Sequence, residues 1–251
     1  MRSALLLALT ITGGFGAQSV DFEWKGSIAR GRLLEVRGVN GDIHAEPSTS
    51  GEVEIVAKVV NEKNEQQAPV NFRTMKTEMG MVICAAARDE SECQPVDGPV
   101  SGPGARVDFF VRLPEGVHFR GRTVNGGVAA DLLQGDVEAY TVNGGVRIST
   151  TGTAQARTVN GSITASLLTP FWKRSPQFST VNGAITLSLP SRLNASVVAE
   201  TRNGKVVAGH MRPFRGKVTD QSIDVVLGTG SGEDPMTVRT VNGTIVLKKA
   251  L

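Results

Sequence analysis

The sequence is short of the residues that build most catalytic centres and most membrane spans. Its 251 residues include two cysteines, three histidines, two tryptophans and one tyrosine, and aromatics make up 5%. So few aromatics exclude a bulky aromatic core, whereas the 29 glycines suit a narrow core with many turns. No apolar run reaches the ~20 residues of a helical membrane span, and no ten-residue stretch has helical periodicity. Concentrated charge is missing too. The net charge is +3 and the longest basic clusters, Lys173-Arg174 and Lys248-Lys249, are dipeptides, which excludes a nucleic-acid groove. His44, His118 and His210 stand in unrelated registers with no ligand spacing, so no metal site or cofactor is expected. What is present is 40% hydrophobic content, enough for one sizeable core or for two small ones.

Residues 1–19 read as a signal peptide. Arg2 is the positive start, Ala4 to Ile11 the apolar run, and Gly13 to Ser19 the small-residue cleavage region. The expected location is therefore extracytoplasmic: periplasmic, cell-surface or secreted. Cys84 and Cys93 bracket eight residues. In an oxidising compartment that spacing predicts a disulfide, since further metal ligands are lacking and a redox pair usually has tighter spacing.

The dominant signal is an internal repeat. Thr-Val-Asn-Gly occurs at 123–126, 141–144, 158–161, 180–183 and 240–243, with Thr-Arg-Asn-Gly at 201–204 and Gly-Val-Asn-Gly at 38–41. The corner pairs are Asn40-Gly41, Asn125-Gly126, Asn143-Gly144, Asn160-Gly161, Asn182-Gly183, Asn203-Gly204 and Asn242-Gly243. From Asn125 to Asn203 the asparagines step by 18, 17, 22 and 21 residues; the next step, to Asn242, is 39. That long step predicts a degenerate copy around Thr219–Ser222. The flanks repeat as well. Three residues after each Asn is Val or Ile (43, 128, 146, 163, 185, 206, 245), and five after it is Ala, Ile or Leu (45, 130, 148, 165, 187, 208, 247). Four before it is a mostly small or apolar residue (36, 121, 139, 156, 178, 199, 238). Alternation of period two on both sides of a turn makes each unit strand, turn, strand.

Asn-Gly favours a type I′ turn with positive φ. Two architectures could use it: a string of hairpins in a meander or sandwich, or a solenoid whose corners stack. The near-constant period with one residue type per register favours an all-β, single-stranded β-solenoid of about 20-residue rungs. The chain divides into an N-terminal strand region over 20–120, with long loops at 61–80 and 88–105, and the regular repeats over 121–251, continuous with it.

Candidate chemistry is sparse. Asp131, Asp136 and Glu138 are the acidic residues that a β-helix lyase or hydrolase would use. Later repeats carry Ser149, Ser166, Ser188, Gly209 and Lys248 where Asp131 stands, so no acidic column forms. Gly228-Thr-Gly-Ser-Gly232 follows a strand but opens no helix, which removes a phosphate loop. Three Asn-x-Ser/Thr sequons, at Asn160, Asn194 and Asn242, are best explained by chance. Phe171 and Trp172 lie in a segment, 168–176, that lengthens one repeat. They form either a candidate binding loop for a sugar or protein or a cover over one side of the body.

The Thr-Val-Asn-Gly-x-[Val/Ile] units, Val39-Asn-Gly-Asp-Ile43, and Val107-Asp-Phe-Phe-Val-Arg-Leu-Pro-Glu-Gly116 resemble the bacterial putative-adhesin family, from about residue 30 to 248. The resemblance implies an envelope or secreted protein with a right-handed β-helix-like body and carries over no catalytic residue. The expected function is a non-catalytic, adhesin-like or envelope-associated scaffold that binds an envelope protein or a glycan. The alternatives are a glycan-processing β-helix enzyme and an accessory module for an envelope protein.

Overall fold

The computed structural model describes residues 21–60, 70–86, 93, 105–209, 214–228 and 234–250. The expected signal peptide, the expected loop over 88–105 apart from Cys93 and Ala105, and His210 lie outside the described residues. Every described element is a strand. The N-terminal region supplies β1 (Phe22–Gly26), β2 (Leu33–Arg37), β3 (Ile43–Pro47), β4 (Val53–Val60), β5 (Asn71–Lys76), β6 (Gly80–Ala86) and β7 (Arg106–Leu113). The repeats supply β8 (His118–Arg122), β9 (Val128–Leu133), β10 (Val137–Tyr140), β11 (Val146–Thr150), β12 (Ala154–Arg157), β13 (Ile163–Leu167), β14 (Gln177–Asn182) and β15 (Ile185–Leu189). The C-terminal part supplies β16 (Ala195–Asn203), β17 (Val206–Ala208), β18 (Phe214–Val218), β19 (Ser222–Leu227), β20 (Met236–Asn242) and β21 (Ile245–Lys249).

Two mixed sheets enclose one elongated core. The first has the order β1-β4-β7-β3-β9-β11-β13-β15-β21-β17 and the second β18-β19-β16-β20-β14-β12-β10-β8-β2-β6-β5. Each repeat unit gives one strand to each sheet, and equivalent strands of neighbouring units pair in parallel. The two strands of a unit do not pair with each other, so the units are not hairpins. Antiparallel strands stand at the ends: β1 and β4 beside β7, β5 beside β6, and β18–β19 beside β16.

The repeat columns are the register. Val128, Val146, Ile163, Ile185, Ile245 and Val206 lie side by side, as do Ala130, Ile148, Ala165, Leu187, Leu247 and Ala208. In the second sheet Val36, Gly121, Ala139, Ala156, Phe178, Val238 and Ala199 form the facing column. All are buried except Ala208 at the sheet edge. Gly121 is required by packing, because a Cβ there would sit 2.8 Å from Val128 Cγ1.

Each residue of Thr-Val-Asn-Gly has a separate task. The buried Thr hydroxyl donates to the Gly carbonyl of the preceding unit in space: Thr141 to Gly126, Thr158 to Gly144, Thr180 to Gly161, Thr240 to Gly183 and Thr201 to Gly243, all at 2.8–3.0 Å. The Val side chain points outward, leaving Val142, Val159 and Val181 exposed. The Asn amides form an unbroken row, Asn40–Asn125–Asn143–Asn160–Asn182–Asn242–Asn203, in which each Nδ2 or Oδ1 meets the next at 2.7–2.8 Å. Aligned amides polarise one another, as in the Asn ladders of cross-β stacks. This row also engages Asn160 and Asn242, two of the three sequon asparagines.

Three expectations are corrected, and the order of the last units is a further finding. The corners are not type I′ turns. No corner Asn has positive φ, and of the corner glycines only Gly41 (121°) and Gly126 (157°) do. Glycine is needed instead because a Cβ at Gly144, Gly161, Gly183 or Gly243 would lie 1.9–2.0 Å from the carbonyl oxygen of the adjacent corner. The stretch Thr219–Ser222 is not a degenerate repeat. It closes the antiparallel β18–β19 hairpin, with Ser222 N–H donating to Thr219 Oγ1 at 2.9 Å. The last unit, β20–β21, inserts between β14–β15 and β16–β17, so units are out of chain order at this end. Finally, the expected loop over 61–80 contains β5, whose mostly exposed pattern carries no alternation to read.

Cys84 and Cys93 are joined by a disulfide, with Cα atoms 5.9 Å apart. The bridge packs with Val82, Ala86 and Met75 on the outer face of the second sheet. Closing a loop of this length removes denatured-state entropy worth about 3 kcal/mol. Reduction, or Cys84→Ser with Cys93→Ser, is expected to lower the unfolding midpoint accordingly; identical midpoints with and without reductant would refute it.

Candidate functional site

Opposite the Asn-Gly corners the chain turns again, and here the sequence carries no repeated tetrapeptide. The turns pack closely: Gly31 N–H donates to Gly116 O and Gly116 N–H to Gln134 O, both at 2.8 Å. A Cβ on Gly152 would lie 2.4 Å from the backbone of Gly135. At 168–176 this row of tight turns is interrupted. The longer segment is fastened on both sides, by Thr169 Oγ1 donating to Thr151 O (2.9 Å), by Arg174 to Asp136 Oδ2 (3.1 Å) and by Ser175 Oγ to the Asp234 carbonyl (2.5 Å).

The two aromatics of this segment part company. Trp172 packs against the core, the covering role. Phe171 is 74% exposed although it is one of the most apolar side chains available. It stands between two grooves. One, of about 310 Å³, is lined by His118, Gln134, Asp136, Thr153 and Trp172 as well as Phe171. The other, of about 250 Å³, is lined by Lys173, Arg174, Asn194, Ser196 and Asp234 as well as Phe171. The sequence pointed to Phe171 and Trp172 but not to Gln134, Thr153 or His118, which come from different units and meet only when the turns stack.

Hydrogen bonding fixes the polar groups of the larger groove. The Asp136 N–H donates to His118 Nδ1 at 2.9 Å, which leaves the neutral ring's proton on Nε2. Asp136 Oδ1 accepts from the Thr153 N–H at 2.8 Å. Burial pushes the Asp136 carboxyl up, but that bond and the Arg174 guanidinium hold it below its ordinary value of 3.8. A depressed folded value contributes stability above the unfolded value and loses it as pH falls through the folded one. Asp136→Asn is therefore expected to cost about 1–2 kcal/mol at neutral pH, and the gap to the parent should close below pH 3.8. Unfolding midpoints compared across that range test this; a gap that does not change with pH contradicts it.

The three acidic candidates do not converge. Asp131 lies on the first sheet, paired with Arg147 at 2.7 Å. Asp136 sits in the turn, and Glu138 lies on the second sheet, 2.7 Å from Arg120. Beside Asp131 the strand bulges: Leu132 has φ 55° and the pairing of β9 with β11 shifts register. A third groove, of about 260 Å³, adjoins it on the first sheet, where His44 stacks on Phe110 at 5.7 Å. Its rim charges already neutralise one another, Arg112 with Glu46 and Glu54, and Asp131 with Arg147.

A charged cluster on the outer face of the second sheet was not legible in the sequence. Glu35, 3% exposed, meets Arg37 Nε at 2.7 Å, Arg122 Nε at 3.1 Å and Arg120 Nη1 at 3.4 Å. Arg122 also lies over the Tyr140 ring, 4.2 Å from its centroid. Burial pushes the Arg122 guanidinium down against the pull of Glu35. For Arg120 the carboxylates of Glu138 and Glu35 outweigh burial, and its value rises. Arg122 Nε is within ion-pair distance of Glu35 but makes no hydrogen bond; the charges of the cluster face one another, and it is read as structural.

No protein-family profile matches the chain, and no curated protein does. Among solved structures it is similar to a "putative cell adhesion protein" from Clostridium sporogenes, at 14% identity and TM-score 0.45, over 91% of this chain and 99% of that one. It is also similar to a "putative adhesin" from Bacteroides fragilis, at 9% identity and TM-score 0.29, over 91% and 96%. At those scores the likeness assigns neither fold family nor function.

Proposed function

We propose that the protein is an extracytoplasmic, non-catalytic binding scaffold of adhesin-like type. Its parallel units stack as a β-solenoid, and the 168–176 segment is its contact surface. The observation that carries the reading is Phe171: a large apolar ring exposed on a segment tied down at both ends, between two polar grooves. An apolar platform with a polar surround is the usual make-up of a ligand site. The Cys84–Cys93 disulfide supports an oxidising compartment. The stacked amide and hydroxyl bonds of the corners support a rigid display function, because they fix each unit against the next. Asp131, Asp136 and Glu138 lie on different parts of the fold and each is paired with an arginine.

The test is co-sedimentation of the purified protein with a fractionated cell envelope. Phe171→Ala is expected to reduce the bound fraction at least tenfold while leaving the unfolding midpoint unchanged, since an exposed side chain contributes little to folding. Equal binding by the variant would remove the segment from the account.

A further inference from the structure

We propose that the two grooves flanking Phe171 form one site for a neutral oligosaccharide, with a sugar ring over Phe171 and its neighbours lying in the grooves. This rests on the reading of the 168–176 segment as the contact surface.

The charges of the site set the ligand class. Arg174 is paired with Asp136, and Arg30 at the edge of the larger groove is paired with Glu115. Among the described lining residues Lys173, which borders both grooves, and Asp234, in the smaller one, remain and have opposite sign. A lining so balanced gives a polyanion or polycation no advantage. It does present groups that both donate and accept, as sugar hydroxyls do, in the Gln134 amide and the Ser196 hydroxyl, with the His118 Nε2–H as a further donor. Phe171 supplies the apolar surface on which the C–H face of a hexose packs.

A second observation points the same way. Thr153 is 3% exposed and its Oγ1 has no hydrogen-bond partner, and neither has the buried Nε1–H of Trp172. Both residues line the larger groove. A buried polar atom without a partner is costly, and a ligand hydroxyl entering beside them satisfies that need. Because Phe171 borders both grooves, a chain of sugars gains contacts that a single ring does not.

The experiment is calorimetric titration of the full protein with cellotetraose, maltotetraose, mannotetraose and chitotetraose, with their monosaccharides, and with tetragalacturonate. At least one neutral tetrasaccharide is expected to bind, at least tenfold more tightly than its monosaccharide and than tetragalacturonate. Phe171→Ala and Gln134→Ala should each weaken it severalfold or more without moving the unfolding midpoint. Binding of tetragalacturonate alone, or of neutral sugars equally by Phe171→Ala, overturns the proposal. So does silence from every neutral tetrasaccharide. If that silence accompanies Phe171-dependent envelope binding, only the sugar is lost; if envelope binding is also independent of Phe171, the contact surface falls with it.

Discussion

Glu35→Ala is expected to lower folding stability by about 3–5 kcal/mol, the cost of removing one partner from a buried ionic group. Glu35 is the shared counter-ion of three arginines whose side chains are only 15–24% exposed. Without it Arg37, Arg120 and Arg122 face one another across neighbouring strands, with Glu138 beside Arg120. Glu35→Gln should fall between, since the amide keeps the volume and part of the hydrogen bonding but not the charge. Glu200→Ala is the internal control. Its pair with Arg239 is 3.4 Å long and both side chains are more than half exposed, so its loss should cost 1 kcal/mol or less, as for other surface pairs. Chemical unfolding of the three variants decides the matter. A Glu35→Ala protein as stable as Glu200→Ala would mean that the cluster is solvated, not structural.

Gly161→Val is the second large effect, expected at about 3 kcal/mol or more. The cause is contact between stacked corners rather than a strained φ. A Cβ at Gly161 would lie 1.9 Å from Gly144 O and 2.5 Å from its carbon. Relief requires moving a corner that is held from both sides. Gly161 N–H donates to Asn182 O at 3.0 Å, and its carbonyl accepts from Thr180 Oγ1 at 2.9 Å. Because the overlap begins at Cβ, Gly161→Ala should already show most of the loss. Thr164→Val, on the exposed face of the same unit, should stay within about 0.5 kcal/mol. If Gly161→Ala were neutral and only Gly161→Val costly, bulk beyond Cβ would be the problem and the close approach of corners would be wrong.

The columns of the repeat could be read from the sequence because a strand has only two faces. Once Asn125, Asn143 and Asn160 are aligned, positions three and five residues on must share a face, and in the structure they do. The reason for the glycines could not be read. Asn-Gly has a strong preference in isolated turns, and only the spacing between corners shows that a neighbouring carbonyl occupies the place of Cβ. Chain order at the C-terminal end was hidden for a different reason. Every unit carries the same corner code, so Asn242 fits beside Asn182 as well as Asn203 does, and the code does not say which unit is next. The Glu35 cluster joins residues 85 positions apart through the register of β2 with β8, and nothing local in either segment announces it. The grooves show both cases. Phe171 and Trp172 stood out as aromatics in an aromatic-poor chain, whereas Gln134, His118 and Thr153 are ordinary residues until the turns bring them together.

The most direct test of the account is to measure binding and turnover on one sample. The purified protein is incubated with envelope polysaccharide, bound material is collected by sedimentation, and new reducing ends are counted in the supernatant. Binding that depends on Phe171, with reducing ends no higher than in the protein-free control, is the result expected of a scaffold. Reducing ends that accumulate with time, and that are lost in Asp136→Asn or Glu138→Gln, would contradict it and make the protein a glycan-processing enzyme.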